Sequence, residues 1–184
     1  MNNMSFLKQY IFKPRTVGAL LPSSKYLAKK MVAGINFEDA KCIVEYGAGT
    51  GVLTAEIIQK RRPGTVVIIF EMNSTFCKML NEKYGSEPGV HVVNDSAQHV
   101  GQKLAECGVA YADYVISGLP FASLPQAVSF NILTETKKHL KQGGAFITFQ
   151  YTLLKKDFIQ QFFDTVDIVR EVRNVPPAYV LRCR

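Results

Sequence analysis

Cysteine is scarce and scattered in this 184-residue chain: Cys42, Cys77, Cys107 and Cys183 form no C-x-x-C pair and stand near no histidine cluster. Such spacing offers neither a disulfide framework nor a zinc site, and a reducing cytosol is the expected setting. No stretch of about 18 apolar residues occurs, so a membrane-spanning helix is not expected. The N-terminus MNNMSFLKQYIFKPR also lacks the apolar core and cleavage site of a signal peptide. Internal repeats, low-complexity tracts and Pro/Gly-rich linkers are missing, which leaves one folding unit at 36–184 behind a basic helical extension or lid at 1–35. At this length a chain buries roughly 70% of its unfolded surface and needs no staple. Acidic residues are absent from one region in particular. Residues 1–37 hold Lys8, Lys13, Arg15, Lys25, Lys29 and Lys30 with no Asp or Glu, and so carry +6 of the net +7. An anionic partner is implied for that segment, either a lipid membrane surface or a nucleic acid.

What is present is an alternation of element types. KCIVEY (41–46), TVVIIFE (65–71), VHVVND (90–95), ADYVIS (112–117) and GAFITFQYT (144–152) are short β-branched or aromatic runs. Helix-length segments at 51–61, 73–84, 96–108 and 123–141 lie between them. Asn73 or Ser74 and Asp95 or Ser96 supply N-caps, and QGG (142–144) offers a C-terminal glycine stop to the fourth helix. After Thr152 a last helix, LLKKDFIQQFF, precedes two successive strands, TVDIVREVRN and PPAYVLRCR. The pattern predicts an α/β, Rossmann-like, seven-stranded, mostly parallel sheet with a C-terminal antiparallel hairpin and helices on both faces.

The strongest motif is VEYGAGTGVLTAEI (44–57), a strand that ends in a glycine-rich turn opening a helix. Gly47, Gly49 and Gly51 permit positive φ and let the backbone meet a ligand without an intervening Cβ. The glycines run G-x-G-x-G, with Val52 where a dinucleotide fingerprint wants its third glycine, which argues against NAD. Gly51 is followed by Val-Leu and not by Lys-Ser/Thr, which argues against a P-loop. Glu71 stands 20 residues after Gly51 at the end of the second strand, where a carboxylate can accept both ribose hydroxyls of an adenosine. Asp95-Ser96 follow the third strand, where an acceptor meets the adenine amine. An adenosine pocket without a phosphate site fits S-adenosylmethionine.

With E-x-G-x-G-x-G, an acid after the second strand and Asp-Ser after the third, the chain resembles the class I S-adenosylmethionine-dependent methyltransferases over about residues 41–152. The resemblance implies that Gly47, Gly49 and Gly51 line the methionine portion, Glu45 helps hold its amino group, Glu71 grips the ribose and Asp95 reads adenine. Thr50, Met72 and Ser96 complete the implied cofactor set. No metal is required, because transfer from a sulfonium is an in-line displacement that needs positioning and exclusion of water.

The acceptor should lie by the fourth strand's tip, Ser117-Gly118-Leu119-Pro120-Phe121. In amino-directed adenine methyltransferases a side-chain acceptor occupies the position of Gly118, and an aromatic ring follows to stack on the flipped base. Here only Phe121 and the backbone carbonyls of Ser117 or Gly118 remain. The rRNA adenine dimethyltransferases, which the core otherwise resembles, also carry an appended helical domain for which no room is expected after Arg184. KPRTVGALLPSSKYLAKKM (13–31), SGLPF (117–121) and NVPPAYVLRCR (174–184) together resemble the small bacterial phospholipid N-methyltransferases. That resemblance implies methylation of the phosphatidylethanolamine amine by a peripheral protein on the inner membrane face. Phe6, Leu7, Tyr10 and Ile11 fall on one helical face opposite Lys8, a pattern suited to a headgroup layer. Tyr10, Tyr26, Tyr151 and Tyr179 are candidates to orient the amine, with Tyr10, Ser117, Gly118, Leu119 and Pro120 forming the expected acceptor site; His99 is a weaker candidate, and His91 reads as structural. The alternatives are an adenine N6-methyltransferase acting on rRNA or other nucleic acid, and a non-catalytic S-adenosylmethionine-binding protein.

Overall fold

A computed structural model describes residues 25–184. In order they form α1 (Lys25–Val32), β1 (Cys42–Tyr46), α2 (Val52–Lys60), β2 (Val66–Phe70), α3 (Ser74–Tyr84), β3 (Val90–Val93), a 3₁₀ turn (Ala97–His99) and α4 (Val100–Glu106). There follow β4 (Ala112–Ser117), α5 (Gln126–His139), β5 (Leu140–Gln150), α6 (Lys156–Gln160), β6 (Val166–Glu171) and β7 (Ala178–Cys183). The seven strands form one sheet in the order β3-β2-β1-β4-β5-β7-β6. β1 to β5 run parallel, and β7 lies antiparallel between β5 and β6. The predicted α/β architecture and its antiparallel C-terminal pair are therefore present, with β7 alone running against the other strands.

Strands buried on both faces explain the near-continuous apolar runs. Cys42, Val44 and Tyr46 of β1 face a core closed by Val100 and Leu104 of α4, Ile132 and Leu133 of α5, and Ile159 of α6. Ile43 of the same strand faces Leu27 and Met31 of α1, Leu53 and Ile57 of α2, and Leu80 of α3. Residues 25–35 of the expected extension thus contribute Leu27, Ala28, Met31, Val32 and Ile35 to the second of these cores.

Three local expectations are corrected. QGG does not stop a helix: α5 ends at His139 and Leu140 is already extended. β5 begins there, four residues before the predicted start, and bulges through Gly143 (φ +78) before pairing regularly from Tyr114↔Ala145. Gly144 is required in the bulge because a Cβ would lie 2.6 Å from the Asp113 carbonyl oxygen. The third helix is also broken, since the Ser96 hydroxyl accepts from Gln98 N–H and holds the first turn in 3₁₀ form. The fourth starts at Gln126, after Pro125, and not at Ser123.

Candidate functional site

The carboxyl ends of β1 to β4 stop level with one another. Tyr46 is in register with Phe70 on one side and Ser117 on the other, and Phe70 with Val93. Every turn singled out in the sequence therefore opens on the same sheet edge, beside the β1/β4 switch point where the strand order reverses. Gly47, Gly49 and Gly51 all adopt positive φ (+68, +54 and +80). At Gly47 a Cβ would also sit 2.8 Å from Leu119 Cδ2. Thr50 at the apex of this turn is exposed.

Glu71 ties the first two turns together. Its Oε2 accepts from Gly49 N–H at 2.7 Å and its Oε1 from Asn73 N–H at 2.7 Å, while Asn73 caps α3 through Thr75 and Phe76 N–H. A carboxylate has about four acceptor directions, so capacity is left for ligand hydroxyls. Met72 packs on the core beside it. Asp95 is half-exposed; one oxygen accepts from Ser96 N–H at 2.7 Å, and His99 Nδ1 lies 2.9 Å from the other. Ser96 is buried, with its hydroxyl taken up by Gln98.

Glu45 is fully buried on the α2 face. Thr54 Oγ1 donates to its Oε2 at 2.8 Å, but Oε1 has no hydrogen-bond partner. Burial pushes its carboxyl up to about 8; the Thr54 bond opposes the shift and the charge of Glu71 adds to it. An orphaned buried carboxylate oxygen is costly unless something cationic or hydrogen-bonding completes it. Beside three positive-φ glycines it fits a phosphate-free ligand bearing an ammonium group, as S-adenosylmethionine does.

The fourth tip gives a reason for Gly118. Its N–H donates to the Tyr46 carbonyl at 2.8 Å, so strand pairing continues past Ser117, and a Cβ here would lie 2.8 Å from the Gly47 carbonyl oxygen. The two glycines thus let the first and fourth turns touch backbone to backbone. Ser117 is buried, its hydroxyl accepting from Leu119 N–H and its carbonyl from the Thr148 hydroxyl. Pro120 is exposed. Phe121 is not available to stack on a base: the ring is fully buried and edge-on to Phe146, with centroids 6.0 Å apart.

Of the tyrosines proposed to orient an amine, Tyr10 lies outside the described residues. Tyr26 is half-exposed on α1 with the Arg173 guanidinium 4.7 Å from its ring centroid. Tyr151 packs on Phe149, and Tyr179 lies under Arg170. His91 is exposed on β3. Sequence reasoning missed Gln150, the last residue of β5, which is buried with Nε2 unpartnered. In GAFITFQYT it reads as an ordinary strand position, and only the parallel registration of β5 with β4 brings it to the edge where β1 and β4 end.

Comparison with known proteins adds the remaining information. Residues 20–135 match the family described as Ribosomal RNA adenine dimethylase. An ornithine lipid N-methyltransferase of Singulisphaera acidiphila is 34% identical over 181 residues, 97% of this chain and 94% of that protein. An rRNA adenine N-6-methyltransferase of Lysinibacillus sphaericus is 27% identical over 143 residues, 78% of this chain but 51% of that protein. Among solved structures, a precorrin-6y C5,15-methyltransferase from Geobacter metallireducens superposes with a TM-score of 0.68 at 14% identity, covering 92% of both chains.

Proposed function

The chain belongs to the ribosomal RNA adenine dimethylase family of S-adenosylmethionine-dependent methyltransferases, and we propose that it methylates a primary amine in a lipid headgroup, that of phosphatidylethanolamine or of an ornithine lipid. The observation that carries this reading is the tip of β4: Gly118 offers no side-chain acceptor for an adenine amine, and Phe121 is buried where a base-stacking ring would be needed. A relative aligned along almost the whole chain is an ornithine lipid N-methyltransferase, which supports the same acceptor class.

In this reading the turn at Gly47, Gly49, Thr50 and Gly51 cradles the methionine portion, Glu45 Oε1 meets its ammonium, Glu71 the ribose, and Asp95 and Ser96 the adenine, with Met72 against the ring. S-adenosylmethionine supplies an electrophilic methyl group on a sulfonium. The chain must then hold a neutral amine in line and keep water out. Of the two backbone carbonyls expected to orient the amine, that of Ser117 is buried and taken up by the Thr148 hydroxyl, which leaves the Gly118 carbonyl for this role, and the unpartnered amide of Gln150 suits a headgroup oxygen. A headgroup ammonium loses its proton more readily when desolvated near a cation, so no strong base is needed. The basic residues 1–37 and a position on the inner membrane face complete the proposal.

The test is a purified-protein assay with methyl-labelled S-adenosylmethionine, offered vesicles of phosphatidylethanolamine, vesicles of ornithine lipid, and rRNA in parallel. Label in either lipid amine is expected. Label in rRNA alone would replace this reading by the adenine one, which the family match to residues 20–135 favours; cofactor binding with no transfer to any of the three would point to a non-catalytic protein.

A further inference from the structure

The exposed apolar side chains of the described residues are not scattered. Of nine large ones, five (Tyr26, Leu153, Leu154, Val172 and Val175) belong to three neighbouring segments: the start of α1, the loop after β5, and the β6–β7 turn. Leu154 is 86% exposed, Val175 72% and Val172 63%. Loops that merely connect elements present small or polar tips, and a contiguous apolar patch marks a contact surface.

Strand pairing brings the segments together. Gln150↔Tyr179 and Glu171↔Ala178 set the loop after β5 beside the β6–β7 turn, and the Tyr26–Arg173 contact joins α1 to that turn. Because β5 is parallel to β4, all three lie on the edge where β1 and β4 end, the edge of the methyl-transfer site. The turn is held rigidly. Glu171 takes Arg173 in a two-pronged ion pair (Nε to Oε1 and Nη2 to Oε2, both 2.9 Å) and also accepts its backbone N–H, while Asn174 Nδ2 donates to the Pro176 carbonyl. Val172 and Val175 are thereby presented outward from a fixed frame.

The surrounding charge identifies the occupant. Segments 25–30, 151–157 and 170–177 contain seven cations, Lys25, Lys29, Lys30, Lys155, Lys156, Arg170 and Arg173, against two acids, the exposed Asp157 and Glu171, which is buried on Arg173. Apolar tips within a cationic ring match an anionic lipid surface, whose phosphates meet the cations while the tips enter the acyl boundary. We propose that this edge is a membrane-docking surface, with Leu153, Leu154, Val172 and Val175 as the inserted tips, and that it seats the mouth of the active site directly on the bilayer. The inference rests on the lipid-amine reading for its purpose, but its contact surface is separately testable and does not depend on the N-terminal segment.

The experiment uses the full chain and sediments it with phosphatidylcholine vesicles made with and without phosphatidylglycerol. The variants are the double substitution Leu154→Asp/Val175→Asp and, as a control at the opposite sheet edge, Tyr111→Asp. Wild type and the control should bind the anionic vesicles. The double variant should bind at least about tenfold more weakly, while its affinity for S-adenosylmethionine, its melting temperature and its transfer to soluble glycerophosphoethanolamine remain at wild-type levels. Sedimentation of the double variant equal to wild type would overturn the docking surface, as would failure of wild type to bind. A wild-type dimer in solution that the double variant breaks would overturn it in favour of a second copy of the chain. Vesicle binding without label in any lipid amine would remove the proposed substrate and leave the docking surface standing.

Discussion

Glu45 shows how much one residue can be read from its surroundings. In sequence it is an acid at the end of a buried strand whose role toward an ammonium comes only from a family resemblance; in the fold it is a carboxyl with one oxygen satisfied by Thr54 and the other by nothing. Its folded value near 8, against the ordinary 4.5, means that between those pH values the folded chain holds a proton that the unfolded chain has released. This contribution to stability therefore falls as pH rises from about 4.5 to about 8 and is constant above. An ammonium placed against Oε1 favours the ionised form, so ligand binding below about pH 8 should expel that proton. Calorimetry at neutral pH in two buffers of different ionisation enthalpy should show proton release for the wild type and none from this source in Glu45→Gln. Melting temperatures of the two proteins without ligand should diverge with pH, the wild type losing more on the way to pH 8. Identical buffer dependence would remove Glu45 from the ammonium site.

At the scale of elements, the order of strands and helices was legible because continuous apolar runs, caps and a glycine turn are local signals. The bulge that opens β5 was not, since Gly143 and Gly144 beside a helix resemble a C-cap until β4 and the Asp113 carbonyl are placed against them. Nor was the burial of Phe121, which depends on Phe146 25 residues further on. Two glycines separate what an element needs from what a site needs. Gly49 and Gly143 both have positive φ, and a Cβ at either would meet nothing within 4 Å. Alanine at each should therefore impose only the left-handed backbone cost, on the order of 1 kcal/mol, seen as a fall in melting temperature of about 2–4 °C. Their affinities should differ. Gly49→Ala puts a methyl group into the cradle and should weaken S-adenosylmethionine binding, whereas Gly143→Ala, at the other end of the sheet, should leave it unchanged. Equal effects on affinity would mean that the cradle lies elsewhere.

At the scale of the whole molecule, the sequence revealed an excess of positive charge before residue 38 but not its continuation. Lys155, Lys156, Arg170 and Arg173 join its described part, Lys25, Lys29 and Lys30, only because β5 pairs with β7 and α1 lies against the turn that follows β6. Among the described residues, the sheet edge proposed for chemistry thus also carries this cationic and apolar cluster, while pairs such as Lys141–Asp113 and Arg184–Asp167 balance charge at the other end of the strands. Exposed charges act over about a Debye length, roughly 10 Å at 0.1 M salt and about 3 Å at 1 M. Raising salt should therefore lower methylation of an amine carried in anionic vesicles by about tenfold or more. It should change S-adenosylmethionine affinity and transfer to soluble glycerophosphoethanolamine by less than about twofold, because the contacts proposed for the glycines, Glu45 and Glu71 are short and mostly buried. A parallel loss of both activities would place the salt-sensitive step in the pocket and not at the surface; a loss confined to vesicles would show that the charge serves delivery of the headgroup and takes no part in the transfer.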